Sequence, residues 1–156
     1  MNVHLLRHAE AEDFATSDAK RVLTKRGELQ SIHVAEFLAR TRQPLDLILT
    51  SPYLRALQTA NAVAEKLGTP LIQERRLSCG MSPQTGYALL QEHRQLENVL
   101  LVGHQPDLSI FAAFLLTRDR SLDVEFGKAA LMSIALNPLA PGSGLLLSFI
   151  DESQMG

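Results

Sequence analysis

MNVHLLRHAE, the stretch formed by residues 1–10, places an apolar strand directly before an arginine–histidine pair. Val3–Leu6 has the nearly continuous apolar character of a strand that is covered on both faces, as in the parallel sheets of α/β proteins. Arg7 can hold phosphate oxygens through the planar fork of N–H donors on its guanidinium. A neutral His8 can attack phosphorus and carry the phosphoryl group as a covalent intermediate. The pair alone is a weak signal, because arginine and histidine often meet by chance.

Two later segments repeat the arrangement of an apolar strand followed by a candidate site residue. LILTSPYLRALQTA, residues 47–60, runs into Ser51 and Pro52, which predict the N-cap and the first residue of a helix. Arg55 falls in the first helical turn, where a bound anion is favoured and an unpaired cation is not. VLLVGHQP, residues 99–106, is a strand that ends in a glycine turn with His104 at its tip.

The three strand ends are expected to share one pocket. Ligands of open α/β sheets gather just beyond the carboxyl ends of the strands. Two guanidinium groups and two imidazoles at that edge would suit a small dianion. The predicted catalytic site therefore consists of Arg7, His8, Arg55 and His104.

Alternation of apolar runs with helical patterns predicts β-α units around a mostly parallel sheet. Strands are expected near Val3–Leu6, Leu45–Leu49, Leu71–Ile72 and Val99–Val102. Helices are expected from a Thr24 cap to Ala39, from Pro52 to Lys66, over Gln84–Arg94 and after Pro106. On the first of these helices, the helical spacing of apolar residues predicts that five side chains face the core: Leu29, Ile32, Ala35, Leu38 and Ala39.

The C-terminal part predicts two strands, Ala129–Leu136 and Gly144–Phe149, separated by the turn-rich stretch NPLAPGS at residues 137–143. We expect these strands to form a hairpin that adds to an edge of the sheet. The predicted fold is therefore a three-layer αβα sandwich around a mostly parallel sheet with an antiparallel edge. A length of 156 residues fits a single domain over residues 1–156.

Composition and charge exclude several classes of protein. Hydrophobic residues make up 46% of the chain and charged residues 21%, which is ordinary for a soluble globular protein. The formal net charge is -2 and no long run of one sign occurs, so neither a nucleic acid nor a membrane surface is indicated as a partner. No apolar stretch reaches membrane-spanning length and no secretory leader is visible, so the expected location is the cytoplasm.

Several other chemistries lack their sequence signals. Cys79 is the only cysteine, so an intramolecular disulfide framework is excluded. CGMSPQT, residues 79–85, lacks the arginine that would close a phosphate-cradling loop around a cysteine nucleophile, and Cys79 is interpreted as a half-buried small apolar residue. The chain has neither a G-x-x-x-x-G-K-[ST] loop for nucleoside triphosphates nor a G-x-S-x-G serine elbow.

His8 and His104 have one competing interpretation, as two ligands of a metal ion, since imidazole is a common metal ligand. Arg7 and Arg55 would repel a divalent cation. Neither histidine has a carboxylate or a cysteine at ligand spacing. A site that uses no metal and no other cofactor is therefore favoured.

Two further cations are candidates for substrate binding. Arg21 belongs to the loop of residues 9–22, which can fold over the pocket and bring this side chain near the phosphate. The alternative is a simple Asp18–Arg21 ion pair that fixes the loop and contributes little stability if exposed. Lys128, at the start of a late strand, would extend the positive rim of the pocket.

Four segments occur in a single order along the chain: LRHA (residues 6–9), LTKRG (23–27), SPYLRALQTA (51–60) and VGH (102–104). In that order they resemble the histidine phosphatase superfamily, also called phosphoglycerate-mutase-like. The short chain and SDAKRVLT at residues 17–24 are similar to the compact SixA-type branch, whose members are protein-phosphohistidine phosphatases. The resemblance implies that His8 is the nucleophile and that Arg7, Arg55 and His104 line the phosphate pocket. Ala9 stands where the family usually has glycine, and an alanine is tolerated there if φ stays negative.

The sequence offers no obvious general acid. Gln105 follows His104, where larger relatives carry an aspartate, and no long insertion supplies a glutamate; Glu10, Glu12 and Glu74 remain as candidates. A labile phosphoramidate such as protein phosphohistidine therefore fits this site better than a phosphomonoester. The resemblance implies a histidine phosphotransfer domain of a two-component relay as the partner. A small-molecule phosphomonoesterase and a weakly catalytic phospho-binding module are the alternatives.

Overall fold

In the computed structural model, which describes residues 1–117 and 122–156, the sheet contains six strands. They are β1 (Asn2–Arg7), β2 (Leu47–Thr50), β3 (Leu71–Gln73), β4 (Asn98–Gly103), β5 (Leu131–Leu136) and β6 (Gly144–Ile150). Their order across the sheet is β3-β2-β4-β1-β5-β6. The first four strands are parallel, whereas β5 is antiparallel to β1 and β6 is antiparallel to β5. The mostly parallel sheet with an antiparallel edge from the C-terminal hairpin is thereby confirmed.

Helices cover both faces of the sheet. They are α1 (Lys25–Arg40) and α2 (Leu54–Leu67) on one face, and α3 (Pro83–Glu92) and α4 (Asp107–Thr117) on the other. Neighbouring side chains of each strand alternate between the layers: Leu5 packs in the cluster that contains Phe111, and Leu6 in the cluster that contains Val34. This confirms the αβα sandwich. None of the helices in the two described ranges is long and apolar enough to cross a membrane.

The start of α2 differs from the prediction. Ser51 and Pro52 are predicted to cap and open this helix, but it begins at Leu54 with Tyr53 as its N-cap. The Ser51 N–H instead continues the sheet pairing by donating to a β4 carbonyl at 3.0 Å. Arg55 is the second helical residue and still lies in the first turn, as predicted. The helix ends at Gly68, whose φ of 67° is left-handed.

The buried face of α1 also differs from the prediction. Leu29 and Ile32 are predicted to face inward, but they are 52% and 48% exposed, whereas Gln30 and Ser31 are buried. Both buried polar side chains are hydrogen-bonded, which offsets the cost of removing them from water. Gln30 Oε1 accepts from the N–H of Glu10 at 2.9 Å, and the Ser31 hydroxyl donates to a carbonyl of the preceding turn at 2.9 Å.

The N-terminus of α1 packs directly on the segment that follows His8. Thr24 caps the helix as predicted, with its Oγ1 accepting from the N–H of Gly27 at 3.0 Å. A Cβ atom added at Gly27 would lie 1.9 Å from the carbonyl oxygen of Glu10. The two backbones therefore approach so closely that this position requires glycine. α1 thus fixes the main chain two residues beyond the candidate nucleophile.

Candidate active site

The ends of neighbouring strands meet at one edge of the sheet. β4 lies between β1 and β2, and Arg7 is opposite Gly103 in the register of β1 and β4. The pairing continues one residue further, because the N–H of His8 donates to the carbonyl of Gly103 at 3.1 Å. His104 follows Gly103 at once. The imidazole rings of His8 and His104 are consequently 5.2 Å apart between centroids.

His8 is 4% exposed and its ring is held from both sides. Nδ1 lies 2.7 Å from the carbonyl oxygen of Ala9, and a carbonyl only accepts, so Nδ1 carries the proton. Nε2 keeps its lone pair and accepts from the Nε–H of Arg55 at 3.2 Å. Burial, with the nearby charges of Lys128 and Arg55, lowers the pKa of His8 to about 2. The ring is therefore neutral at pH 7, which is the form that a nucleophile requires.

Ala9 fits its position without strain. In the described part of the chain only Arg42 and Ala129 among the non-glycine residues have a positive φ, so φ at Ala9 is negative. The N–H of Ala9 donates to Thr59 Oγ1 at 3.0 Å, and the Thr59 hydroxyl donates to the carbonyl of Arg55 at 2.7 Å. The main chain after His8 is thereby tied to the first turns of α2.

Arg55 is 4% exposed, and its guanidinium joins His8 to the loop of residues 9–22. Nη1 donates to the carbonyl of Asp18 at 2.7 Å, and Nη2 donates to the Asp18 carboxylate at 3.0 Å. The same carboxylate accepts from Nη1 of Arg21 at 2.9 Å. Hydrogen bonds from Arg21 and Arg55 lower the pKa of the Asp18 carboxyl. The Asp18–Arg21 pair considered from the sequence is present, and it also holds Arg55.

His104 is 2% exposed, with Nε2 located 2.8 Å from the Ser51 hydroxyl oxygen. That oxygen accepts from the N–H of Tyr53 at 3.2 Å, and among the described residues the hydroxyl proton has no acceptor other than His104 Nε2, so we assign the proton to the bond with His104. His104 Nδ1 then carries the ring proton. Nδ1 is buried and has no hydrogen-bond partner within residues 1–117 and 122–156. Burial, followed by the charge of Arg55, lowers the pKa of His104 to about 4, so the ring is neutral at pH 7.

Arg7 supplies another unpaired donor. Its Nη1 donates to the carbonyl of Phe126 at 2.6 Å, whereas its Nε is buried and has no partner among the residues described. Burial lowers the pKa of this guanidinium, and its charge in turn lowers the pKa of His104. Buried polar groups are normally paired. The N–H groups of Arg7 Nε and His104 Nδ1, which lack partners among the described residues, are therefore the donors that an anion bound at this site would satisfy.

Lys128 is half-buried in the turn before β5. Its charge lowers the pKa of both His8 and His104. Its ammonium has no hydrogen bond or ion pair with any described residue. Burial lowers the pKa of Lys128 itself to about 8, assisted by the charges of Arg7, Arg21 and Arg55.

The glutamates considered as proton donors are engaged elsewhere or exposed. Glu10 accepts from the Thr24 hydroxyl at 2.8 Å. Glu74 accepts from the Arg76 guanidinium at 3.0 and 2.8 Å, which lowers its pKa. Glu12 is exposed on the loop. The hydrogen bonds of the described residues connect none of these three carboxylates to His8.

Sequence reasoning missed several contacts of the site. Ser51 and Thr59 belong to the segment that carries Arg55, but their partners His104 and Ala9 are 53 and 50 residues away, and spacing gives no signal for such pairs. The interpretation of Cys79 as a half-buried apolar residue is wrong. Cys79 is exposed, and its Sγ lies 3.6 Å from Nη2 of Arg55.

The charges around the two imidazoles suit an anion. Within residues 1–117 and 122–156, no group of three or more histidine, cysteine, aspartate or glutamate side chains is placed to hold a metal ion. Arg55 and Lys128 lower the pKa of both rings and Arg7 lowers that of His104, whereas the Asp18 carboxylate, itself bound by Arg55, raises the pKa of His104.

Similarities to known proteins identify the family of this chain. The sequence profile of the Histidine phosphatase superfamily (branch 1) matches residues 3–78. The chain is 31% identical to a phosphohistidine phosphatase SixA homolog of Haemophilus influenzae over 117 residues, covering 68% of this chain and 71% of that protein. It is 30% identical to phosphohistidine phosphatase SixA of Escherichia coli over 119 residues, covering 74% of each. A structure of the protein histidine phosphatase SixA complexed with tungstate matches with a TM-score of 0.91 and 26% identity over 100% of both chains. The chain belongs to the histidine phosphatase superfamily and is a phosphatase of the SixA type.

Proposed function

We propose that this phosphatase removes the phosphoryl group from protein phosphohistidine by forming a second phosphohistidine on its own His8. The observation that carries the proposal is the state of His8: a buried, neutral ring whose Nε2 lone pair faces the Nε–H of Arg55 at 3.2 Å. Arg7 Nε–H and His104 Nδ1–H, which have no partner in the part of the chain that the structure describes, belong to the same site. A nucleophile surrounded by fixed donors is the arrangement that phosphoryl transfer requires.

The proposed reaction has two steps. The lone pair of His8 Nε2 attacks phosphorus in line, and the bond from phosphorus to the leaving atom breaks. The Nε–H of Arg55 turns from that lone pair to a phosphoryl oxygen, while Arg7 and the Nδ1–H of His104 donate to the remaining oxygens. Water then attacks phosphorus, and the electron pair of the P–N bond returns to His8. Positioning and fixed positive charge supply most of the rate enhancement.

A protein substrate is supported by the rim of the site and by the similar proteins. Phe14 is 92% exposed on the loop of residues 9–22, and Cys79 is exposed beside Arg55. Two similar proteins are named as phosphohistidine phosphatases. The partner that we propose is a histidine phosphotransfer domain of a two-component relay. The proposed location of the reaction is the cytoplasm. The proposal includes neither a nucleic acid nor a membrane as a partner.

A substrate panel tests this function. We expect a phosphohistidine-bearing phosphotransfer domain to have a higher kcat/KM than alkyl phosphates, because the P–N bond is more labile than the P–O bond of an alkyl ester. The difference should narrow for aryl phosphates, whose leaving groups depart without a proton. Steady-state rates on these three classes measure it. Equal rates on sugar phosphates and on the phosphoprotein would instead favour a small-molecule phosphomonoesterase, and binding without turnover a phospho-binding module.

Metal independence is part of the proposal and has its own test. Arg7 and Arg55 disfavour a divalent cation at the imidazoles, so exhaustive chelation with EDTA is expected to leave the turnover rate unchanged. The measurement is the rate on p-nitrophenyl phosphate before and after dialysis against chelator. Loss of activity that one divalent ion restores would contradict the proposal.

A further inference from the structure

We propose that Lys128 is the proton donor of this site, delivering its Nζ proton to the atom that leaves phosphorus. The inference rests on the proposed attack by His8 and adds the group that protonates the leaving atom. It gives Lys128 a catalytic role in place of the rim contact predicted from the sequence.

The backbone places Lys128 beside the nucleophile. The N–H of Ala129 donates to the carbonyl of His8 at 3.3 Å, and the N–H of Arg7 donates to the carbonyl of Ala130 at 3.2 Å. The turn that contains Lys128 is thus bound to the main chain of both residues of the Arg–His pair. Ala129 has a left-handed φ of 58° although it is fully buried, a conformation that costs an alanine free energy and persists only where its surroundings impose it. This turn therefore fixes the point from which the Lys128 side chain leaves the backbone.

The surroundings of the ammonium favour release of its proton. The charged groups that act on Lys128 are Arg7 of β1, Arg21 of the loop, Arg55 of α2 and, with the opposite sign, Glu10. Burial and the three cations lower the pKa of Lys128 to about 8. At pH 7 the ammonium is therefore protonated in most molecules, and it is acidic enough to donate its proton to a leaving group. The ammonium is half-buried and has no carboxylate partner among residues 1–117 and 122–156, which is the state expected of a functional lysine.

The other titratable groups of the site are poorly suited to the role. Asp18 and Glu74 are ionised, since hydrogen bonds from arginines lower the pKa of each carboxyl. His8 and His104 are neutral at pH 7 because burial lowers the pKa of each ring. The pKa of Lys128, lowered to about 8, is close to neutrality, as a proton donor working at pH 7 requires.

The step balances as follows. His8 Nε2 forms a bond to phosphorus, the bond to the leaving nitrogen breaks with its electron pair on that nitrogen, and a proton passes to it from Lys128 Nζ. Lys128 is left as a neutral amine. When water attacks the phosphoryl group on His8, the amine takes a proton from that water and the P–N electron pair returns to His8. Both side chains are then in their starting forms.

Leaving-group dependence tests the role of Lys128. The variants are Lys128→Gln and Lys128→Arg, with Lys20→Gln as a matched control, since Lys20 is an exposed lysine of the neighbouring loop. Both Lys128 variants should lose roughly 10²–10⁴-fold in kcat/KM on the phosphohistidine protein, the usual contribution of general acid catalysis. They should stay within about threefold of wild type on p-nitrophenyl phosphate, whose leaving group needs no proton. The wild-type kcat/KM on phosphoprotein should also fall above about pH 8, as the ammonium deprotonates, and the variants should lack this limb.

Two outcomes would overturn the inference. Full activity of Lys128→Arg on both substrates would show that only the positive charge matters. Equal losses on both substrates in Lys128→Gln would show that Lys128 binds the phosphoryl group. Trapping of labelled phosphate on His8 from p-nitrophenyl phosphate in the wild-type protein is measured in parallel. Failure of that trapping would contradict the proposed function itself. If the wild-type protein traps phosphate but the Lys128 variants keep the wild-type ratio of kcat/KM on the two substrates, only the role of Lys128 is contradicted.

Discussion

Replacing His8 by alanine is expected to abolish both turnover and the trapping of acid-labile phosphate on the protein. His8 is the residue whose Nε2 lone pair is free of a proton and lies at the edge where the buried donors of the site meet. The remaining donors can hold phosphate but cannot form a covalent bond to it. The measurement is the amount of labelled phosphate that stays on the protein after rapid denaturation, together with steady-state turnover.

His4 provides the matched control for His8. It lies on the same strand, is fully buried, and has a pKa lowered to about 4 by burial, but its Nδ1 pairs with the Ser133 hydroxyl at 2.8 Å, away from the site. His4→Gln should reduce thermal stability while each folded molecule still traps phosphate. His8→Asn, which keeps a polar side chain, separates loss of chemistry from loss of folding. Near-normal turnover in a folded His8 variant would end the assignment of this residue as nucleophile.

Replacing Arg55 by alanine is expected to lower kcat/KM by roughly 10²–10³-fold, the scale on which loss of one preorganised donor reduces a rate. Two effects of the substitution act together. The phosphoryl group loses the donor closest to His8 Nε2, and the Asp18 carboxylate loses the buried cation that holds the loop of residues 9–22. The rate is measured on the phosphoprotein and on p-nitrophenyl phosphate, since a missing phosphate donor affects both substrates.

Two further arginine variants make this test specific. Arg55→Lys keeps a positive charge but loses the planar fork, so it should recover only part of the activity. Arg76→Ala removes an exposed arginine that pairs with Glu74 and Glu92 at 2.8 Å, and it should leave kcat/KM unchanged. If Arg55→Ala and Arg76→Ala behaved alike, Arg55 would be a structural residue of α2 and the site would need another phosphate donor.

Much of the fold could be predicted because local patterns determine it. The apolar runs correspond to β1 to β4, the Thr24 cap and Gly68 mark the ends of helices, and the strands around residues 137–143 form the hairpin. The gathering of His8 and His104 at one edge follows from the parallel arrangement of strands, which brings their carboxyl ends together.

The remaining features depend on contacts between residues far apart in the chain. Periodicity places Leu29 inward, but Gln30 is buried instead because it pairs with the N–H of Glu10. The sequence predicts Ser51 as a helix cap, but its hydroxyl is hydrogen-bonded to His104 and the helix begins only at Leu54. Nothing in the pattern near Asp18 indicates that its carboxylate meets Arg55, 37 residues away. Such pairings depend on tertiary packing, which a single sequence does not display.

The close approach of Gly27 to Glu10 limits how this protein can be redesigned. A library that varies residues around the nucleophile can accept side chains at Ala9, which has a negative φ, provided that they fit its buried site. At position 27 even one added methyl group would meet a carbonyl oxygen at 1.9 Å. Grafting the Arg–His strand into another α/β scaffold therefore requires transfer of a helix that starts in the same place and carries no side chain there.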